Sequence, residues 1–119
     1  MNKEQAYDRF WNSFEWDAYD ENSVPEKAEL PYITYQMVTS DFDSLVTATA
    51  SLWDRSYSWK SVTEKAEEIA SEISRGGKLV KYDGGAFWIR KSSTWTQRMT
   101  DSDTSVRRII LTVTIEYID

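Results

Sequence analysis

The chain of 119 residues contains neither cysteine nor histidine. Without cysteine there is no disulfide framework, no thiolate nucleophile and no Cys-ligated zinc. Without histidine, the usual general base near neutral pH and the commonest metal ligand are both missing. Most hydrolytic and redox mechanisms are thereby excluded, so no catalytic, cofactor-binding or metal-ligating residue is assigned and the chain is read as a non-enzyme. No apolar run approaches the roughly 18 residues that a membrane helix requires. The start, Met1-Asn2-Lys3-Glu4-Gln5, is followed by no apolar stretch of the secretory kind. A soluble, cytoplasmic protein without membrane contact is expected.

The net charge of −6 lacks the basic footprint that phosphate neutralisation demands. The charge is nevertheless polarised along the chain. Through Ser74 there are 15 acidic and 6 basic residues, net −9, and from Arg75 onward 8 basic and 5 acidic, net +3.

Hydrophobic periodicity supplies the elements. Tyr7, Phe10, Trp11 and Phe14 recur at helical spacing between Lys3 and about Trp16, with Asn2 and Gln5 placed as a capping box. Asp17 to Glu29 dissolves into Asp, Glu, Asn, Ser and Pro and reads as an acidic loop. Tyr32 to Thr39 is β-branched and aromatic, a strand opened by Pro31. Ser40 to Ser44 has turn composition, and Leu45 to Asp54 alternates, with Ala48 and Ala50 leaving room for a helix on one face. Together these predict a hairpin.

A second helix follows, with Ser58 as N-cap and Ser61 with Glu64 as a further capping box. Val62, Ala66, Ile69, Ala70 and Ile73 form its apolar stripe, and Gly76-Gly77 stops it in a left-handed conformation. Asp83-Gly84 between Lys78–Lys81 and Ala86–Arg90 signals a second hairpin. Trp95 to Met99 adds a short strand, Thr100 to Thr104 a turn, and Ile109, Leu111, Val113, Ile115 and Tyr117 one face of a long closing strand. The whole predicts a single α+β domain over residues 1–119: a mainly antiparallel sheet of four to six strands with two helices on one face.

This ordered series resembles a known family. Glu29-Leu30-Pro31-Tyr32-Ile33-Thr34-Tyr35, then Leu52-Trp53-Asp54-Arg55-Ser56 leading into the second helix, Gly76-Gly77, Asp83-Gly84-Gly85-Ala86-Phe87-Trp88-Ile89, and the terminal β-run after Arg107-Arg108 are similar to the small tail-terminator or tail-completion proteins of tailed bacteriophages and prophages. The resemblance spans roughly the whole chain. It implies an α/β fold related to tail-tube proteins and a structural role in virion assembly. Subunits would form a ring, usually hexameric in the virion whatever the state of the free chain. That ring caps the tail tube, meets the head–neck connector and lets DNA through as passing cargo. The implied location is the bacterial host cytoplasm during assembly and then the tail–head junction. The family carries no catalytic signature to transfer.

A heterologous ring needs two unlike, complementary patches on each subunit, and the polarised charge could supply them. The candidate subunit-interface residues are therefore acidic Asp17, Asp20, Glu21, Glu64 and Glu68, facing Arg90, Lys91, Arg98, Arg107 and Arg108 of a neighbour. The simpler alternative is that these charges pair within the monomer or stay solvated. An acidic surplus also suits a lumen through which DNA slides without sticking.

A second functional class remains open: a small aromatic-rich module binding carbohydrate or another ligand without catalysis. Trp53, Tyr57, Trp59, Trp88 and Trp95 could form its stacking platform, or could fill core and subunit contacts. Asp41 with Asp43 and Asp101 with Asp103 could bind a divalent metal, but turn chemistry accounts for both pairs. Gly76-Gly77-Lys78 follows a helix rather than a strand, so it is no phosphate-binding loop.

Overall fold

Asn2 starts the first helix as its sequence context demands. Its side-chain oxygen accepts from the Gln5 N–H at 2.8 Å, and the Gln5 side chain accepts from the Asn2 N–H at 3.0 Å, so two orphan donors of the helix end satisfy each other's residues. In the computed structural model, which describes residues 1–38 and 45–118, this helix α1 spans Lys3–Asn12. It is shorter than its apolar spacing suggests. Ser13 closes it, Glu15 takes a positive φ of 69°, and Phe14 stays buried beside Phe10 and Trp11 from the turn beyond the helix.

The expected acidic loop is a loop only in its later part. Asp17–Asp20 forms a strand, β1, parallel to β2 (Tyr32–Tyr35). Ala18 is buried and Tyr19 lays its ring 5.9 Å from that of Tyr32, so packing overrides the polar composition of the segment. The predicted strand beginning at Tyr32 ends at Tyr35, and it pairs with β3 (Leu45–Arg55) in antiparallel fashion, as the hairpin reading required. The turn expected over 40–44, with Asp41 and Asp43, lies outside the described residues.

Helix α2 covers Lys60–Ile73. Trp59 stands at its N-cap without a side-chain cap bond, while Ser58 does the capping one residue earlier, its hydroxyl accepting from the Lys60 N–H at 3.1 Å. Ser61 is already inside the helix, so the Ser61–Glu64 capping box does not form. The expected glycine stop is also displaced: Ser74 takes the positive φ of 63°, and Gly77 adopts 95° a turn later. There Gly77 is required for space as well. A Cβ on it would stand 2.5 Å from the Trp88 indole nitrogen and 2.9 Å from the Ile89 carbonyl oxygen.

Strand β4 (Lys78–Tyr82) turns through Asp83-Gly84 into β5 (Gly85–Met99), and β6 (Val106–Ile118) closes the chain. Two expected short strands, Ala86–Arg90 and Trp95–Met99, are thus one long strand. Its register against β6 shifts between Lys91 and Thr96, where the polar stretch is absorbed as an irregularity. The sheet order is β1-β2-β3-β6-β5-β4, antiparallel except for β1 with β2.

Both helices lie on one face. Tyr7, Phe10 and Trp11 of α1 and Val62, Ala66, Ile69 and Ile73 of α2 bury the face carrying Ile33, Leu52, Phe87, Ile89, Leu111, Val113 and Ile115. Full burial of such a side chain contributes about 1.5–3 kcal/mol. Tyr7 sits at the centre, edge-on to Trp11, Tyr35 and Phe87 at centroid distances of 6.2, 5.4 and 5.8 Å. Tyr35 donates its hydroxyl to Asp8 at 2.5 Å, tying β2 to α1. The fold is therefore α+β, with two helices over one face of a six-stranded, mainly antiparallel sheet. No helix among the described residues is long and apolar enough to cross a membrane.

Candidate assembly interface

Residues opposite one another across paired strands share a face, so the register identifies what the helices leave uncovered. One transverse row on the open face reads Asp17, Tyr32, Trp53, Arg108, Met99, and the next reads Tyr19, Thr34, Ser51, Ile110, Gln97. These rows interlock. Tyr32 and Trp53 have ring centroids 6.4 Å apart, the Arg108 guanidinium lies 4.4 Å from the Trp53 ring, and the Trp53 indole donates to Thr34 at 3.0 Å. Arg108 also donates twice to the Ser51 hydroxyl, at 3.1 Å each. Farther along the same face, Thr49 opposes Thr112 and Thr47 opposes Thr114. At the far end Leu45, Leu79 and Ile118 are exposed around Trp88, with Arg90 paired to Glu116 at 3.6 Å and stacked 5.4 Å from the Trp88 ring.

A second basic cluster forms on the helix side. Arg98 and Arg107 both approach the Trp59 ring, at 4.8 and 5.4 Å from its centroid. Arg107 is tied down further, donating to the carbonyls of Thr104 at 2.9 Å and Tyr57 at 3.0 Å. Lys91 is exposed on β5 and forms no ion pair with a described residue.

The acidic candidates separate into two groups. Glu64 pairs with Lys60 at 4.0 Å and Glu68 with Lys65 at 3.2 Å, so this face of α2 is partly neutralised within the subunit. Lys65 is itself buried, donating to the Phe14 carbonyl at 2.7 Å and standing 5.3 Å from the Trp16 ring. Asp17, Asp20 and Glu21 lie instead at the β1 border of the sheet. The Asp20 carboxylate accepts from the Asn22 N–H, and the Glu21 N–H donates to the Tyr35 carbonyl.

The fold thus gathers Arg98 with Arg107, and Asp17 with Asp20 and Glu21, but sends Arg108 and Arg90 to two ends of the open face. The five aromatics considered as a platform are likewise dispersed. Trp53 and Trp88 occupy opposite ends of the open face, Trp59 and the exposed Tyr57 lie at the entry to α2, and Trp95 lines a groove against α2. The aromatic row that does form uses Tyr19 and Tyr32 with Trp53. The alternation of β3 exposes Trp53 on the polar face, but Tyr19 is visible only once β1 is seen as a strand.

The Asp101 and Asp103 pair makes a turn. Asp101 accepts from the Asp103 N–H, and Asp103 accepts from the Ser105 hydroxyl at 2.7 Å and N–H at 2.9 Å and from Arg55 at 3.2 Å. The Ser105 bonds, with Arg55 behind them, hold the exposed Asp103 carboxyl down at about 2. Among the described residues no group of three or more acidic side chains is arranged to hold a metal ion.

No protein-family model and no curated protein matches this chain. Among solved structures, its fold is similar to that of a chain from the virion of a native gene transfer agent particle. The TM-score is 0.53 and the identity 14%, covering 86% of this chain and 78% of that one. At that identity the likeness is one of fold.

Proposed function

We propose that the chain is a structural subunit of a tailed-phage or phage-like particle, serving as a tail terminator. In this reading copies assemble into a ring, hexameric in the virion, that caps the tail tube, joins it to the head–neck connector and lets DNA pass. The work is done by surfaces and not by catalysis. Assembly takes place in the bacterial host cytoplasm, and the finished ring stands at the tail–head junction.

The observation that carries the proposal is the likeness of fold, over 86% of this chain, to a component of a gene transfer agent virion. It coincides with the tail-terminator resemblance of the ordered sequence motifs. Two features of the molecule support it. Among the described residues no helix lies over one face of the sheet, and charges of opposite sign without ion-pair partners stand at separate borders, which suits head-to-tail contacts. Asp17, Asp20, Glu21, Glu64 and Glu68 on one subunit and Arg90, Lys91, Arg98, Arg107 and Arg108 on the next are the interface residues proposed.

Mass determination by light scattering and negative-stain imaging, alone and with tail tubes, tests this reading. The expected result is a ring with a central hole, seated on tube ends. A chain that stays monomeric at every salt and protein concentration, and ignores tubes, defeats it.

A non-catalytic binding module is the second reading, favoured by the row of Tyr19, Tyr32 and Trp53 on the open face. Tryptophan fluorescence titrated with a glycan panel decides it, and a flat response removes it.

A further inference from the structure

We infer that the border of the sheet built by the distal half of β5 is the seat for the acidic β1 corner of a second copy of this chain. The inference rests on the ring reading above and selects, among the charged surfaces, the two that meet.

β4 pairs with β5 only from Gly85 to Ile89. From Arg90 onward β5 therefore has no strand on its outer side among the described residues, and the stretch Arg90–Met99 is a border strand with three basic residues and no acidic one. Of the three, Arg90 already has Glu116 as partner. Lys91 and Arg98 have no carboxylate within ion-pair distance among the described residues, and the Trp59 ring at 4.8 Å holds Arg98 in place without neutralising it. Next to Arg98 a groove opens between α2 and β5, floored by Ile109 and walled by Thr63, Ala66, Glu67, Ala70 and Trp95. A cationic strand border beside a groove of mixed lining, apolar at Ala66, Ala70, Trp95 and Ile109 and acidic only at Glu67, fits a partner that sets its carboxylates against Lys91 and Arg98 and its apolar residues in the groove.

The opposite border of the same sheet has that composition. Asp17, Asp20, Glu21, Glu26 and Glu29 surround Lys27, Val24, Ala28 and Leu30, and none of the five carboxylates is within ion-pair distance of a described cation. The α2 face is the weaker candidate, because Glu64 and Glu68 have lysines of their own. Since β1 and distal β5 lie at different borders, their contact is head-to-tail, the geometry that generates rings when the rotation closes. The outward peptide groups of Ala18 are held by the Asn12 side chain, so the acidic corner docks through side chains and its loop and not by extending the sheet.

Charge exchange tests this. Lys91→Glu with Arg98→Glu, and separately Glu21→Lys with Glu29→Lys, are each expected to weaken self-association about tenfold or more at low salt. All four substitutions in one chain are expected to restore it. Sedimentation velocity on the full chain, alone and on tail tubes, reads the association, and unchanged thermal melts establish that the variants fold. Because all four side chains are exposed, the fold should tolerate the changes. If both reversals leave assembly intact, the ring forms through other surfaces and this inference fails while the ring reading stands. If the unaltered chain never self-associates, the ring reading fails and takes the inference with it. If the β5 reversal weakens attachment to tail tubes or DNA but not self-association, the border faces a different macromolecule and the inference is likewise overturned.

Discussion

The Asn12 carboxamide holds both backbone groups of Ala18. Its oxygen accepts from the Ala18 N–H at 2.9 Å and its nitrogen donates to the Ala18 carbonyl at 3.2 Å. β1 is a border strand, and its outward peptide groups are what another chain would otherwise use as a pairing template. A side chain from the preceding helix thus substitutes for a neighbouring strand.

Asn12→Ala is expected to lower the unfolding free energy by about 1–2 kcal/mol, since a partly buried donor and acceptor lose their partners. Aggregation on mild heating should also rise. Urea unfolding and light scattering measure the two effects, and wild-type values in both would mean that the border needs no seal.

The adjacent glycines should behave oppositely. Nothing lies within 4 Å of a Cβ on Gly76, whereas one on Gly77 meets Trp88, Arg90 and the Ile89 carbonyl at 2.5–2.9 Å with φ at +95°. Gly77→Ala is expected to cost about 2–3 kcal/mol, through strain and displacement of the β5 backbone. Gly76→Ala should stay within about 0.5 kcal/mol of wild type. Equal denaturation midpoints for the two variants would contradict this account of the α2–β4 connection.

Tyr7→Phe is expected to leave stability unchanged or raise it by about 1 kcal/mol. The hydroxyl is buried with no hydrogen-bond partner among the described residues, and the neighbouring Trp11 indole N–H does not meet it in bonding geometry. Burial also raises the ionisation of this phenol well above its ordinary range. The folded state thus favours the neutral form, and stability is complete below about pH 10 and lost as pH rises beyond it. Alkaline unfolding followed by circular dichroism should shift upward in the variant. A marked loss of stability instead would reveal a partner for the hydroxyl.

Asp103 titrates in the opposite sense. Its carboxyl is held at about 2 by Ser105 first and Arg55 after it, so the turn's contribution is present above about pH 4 and lost as pH falls through about 2. Ser105→Ala should return the carboxyl toward the ordinary aspartate value, as read by NMR titration of the side-chain carbon. An unshifted titration would assign the depression to other groups.

Elements whose apolar residues repeat over several turns or strand pairs were legible in the sequence. The stripes Tyr7–Phe10–Trp11–Phe14 and Val62–Ala66–Ile69–Ile73, and the alternation from Ile109 to Tyr117, are all buried as their spacing requires. β1 was not legible, because four residues bounded by two aspartates carry too little pattern and Ala18 is buried through contacts distant in sequence. The continuity of β5 was hidden in the same way: Lys91, Ser92 and Ser93 look like a connection, but the register shift against β6 accommodates them within a strand. For the interface, the sequence supplied the charged residues but not their pairing. Only the fold separates Arg90 and Glu68, which have ion-pair partners, from Arg98 and Asp17, which have none among the described residues.

The threonines on the uncovered face carry a thermodynamic consequence. Thr47 opposes Thr114 and Thr49 opposes Thr112, so the middle of that face presents hydroxyl groups where the helix side presents isoleucine and leucine. Hydroxyls retain water, and burying them releases little heat capacity compared with apolar surface. Contacts made across this middle strip would therefore change in strength almost linearly with temperature, whereas the helix-covered core follows the curved stability of an apolar interior.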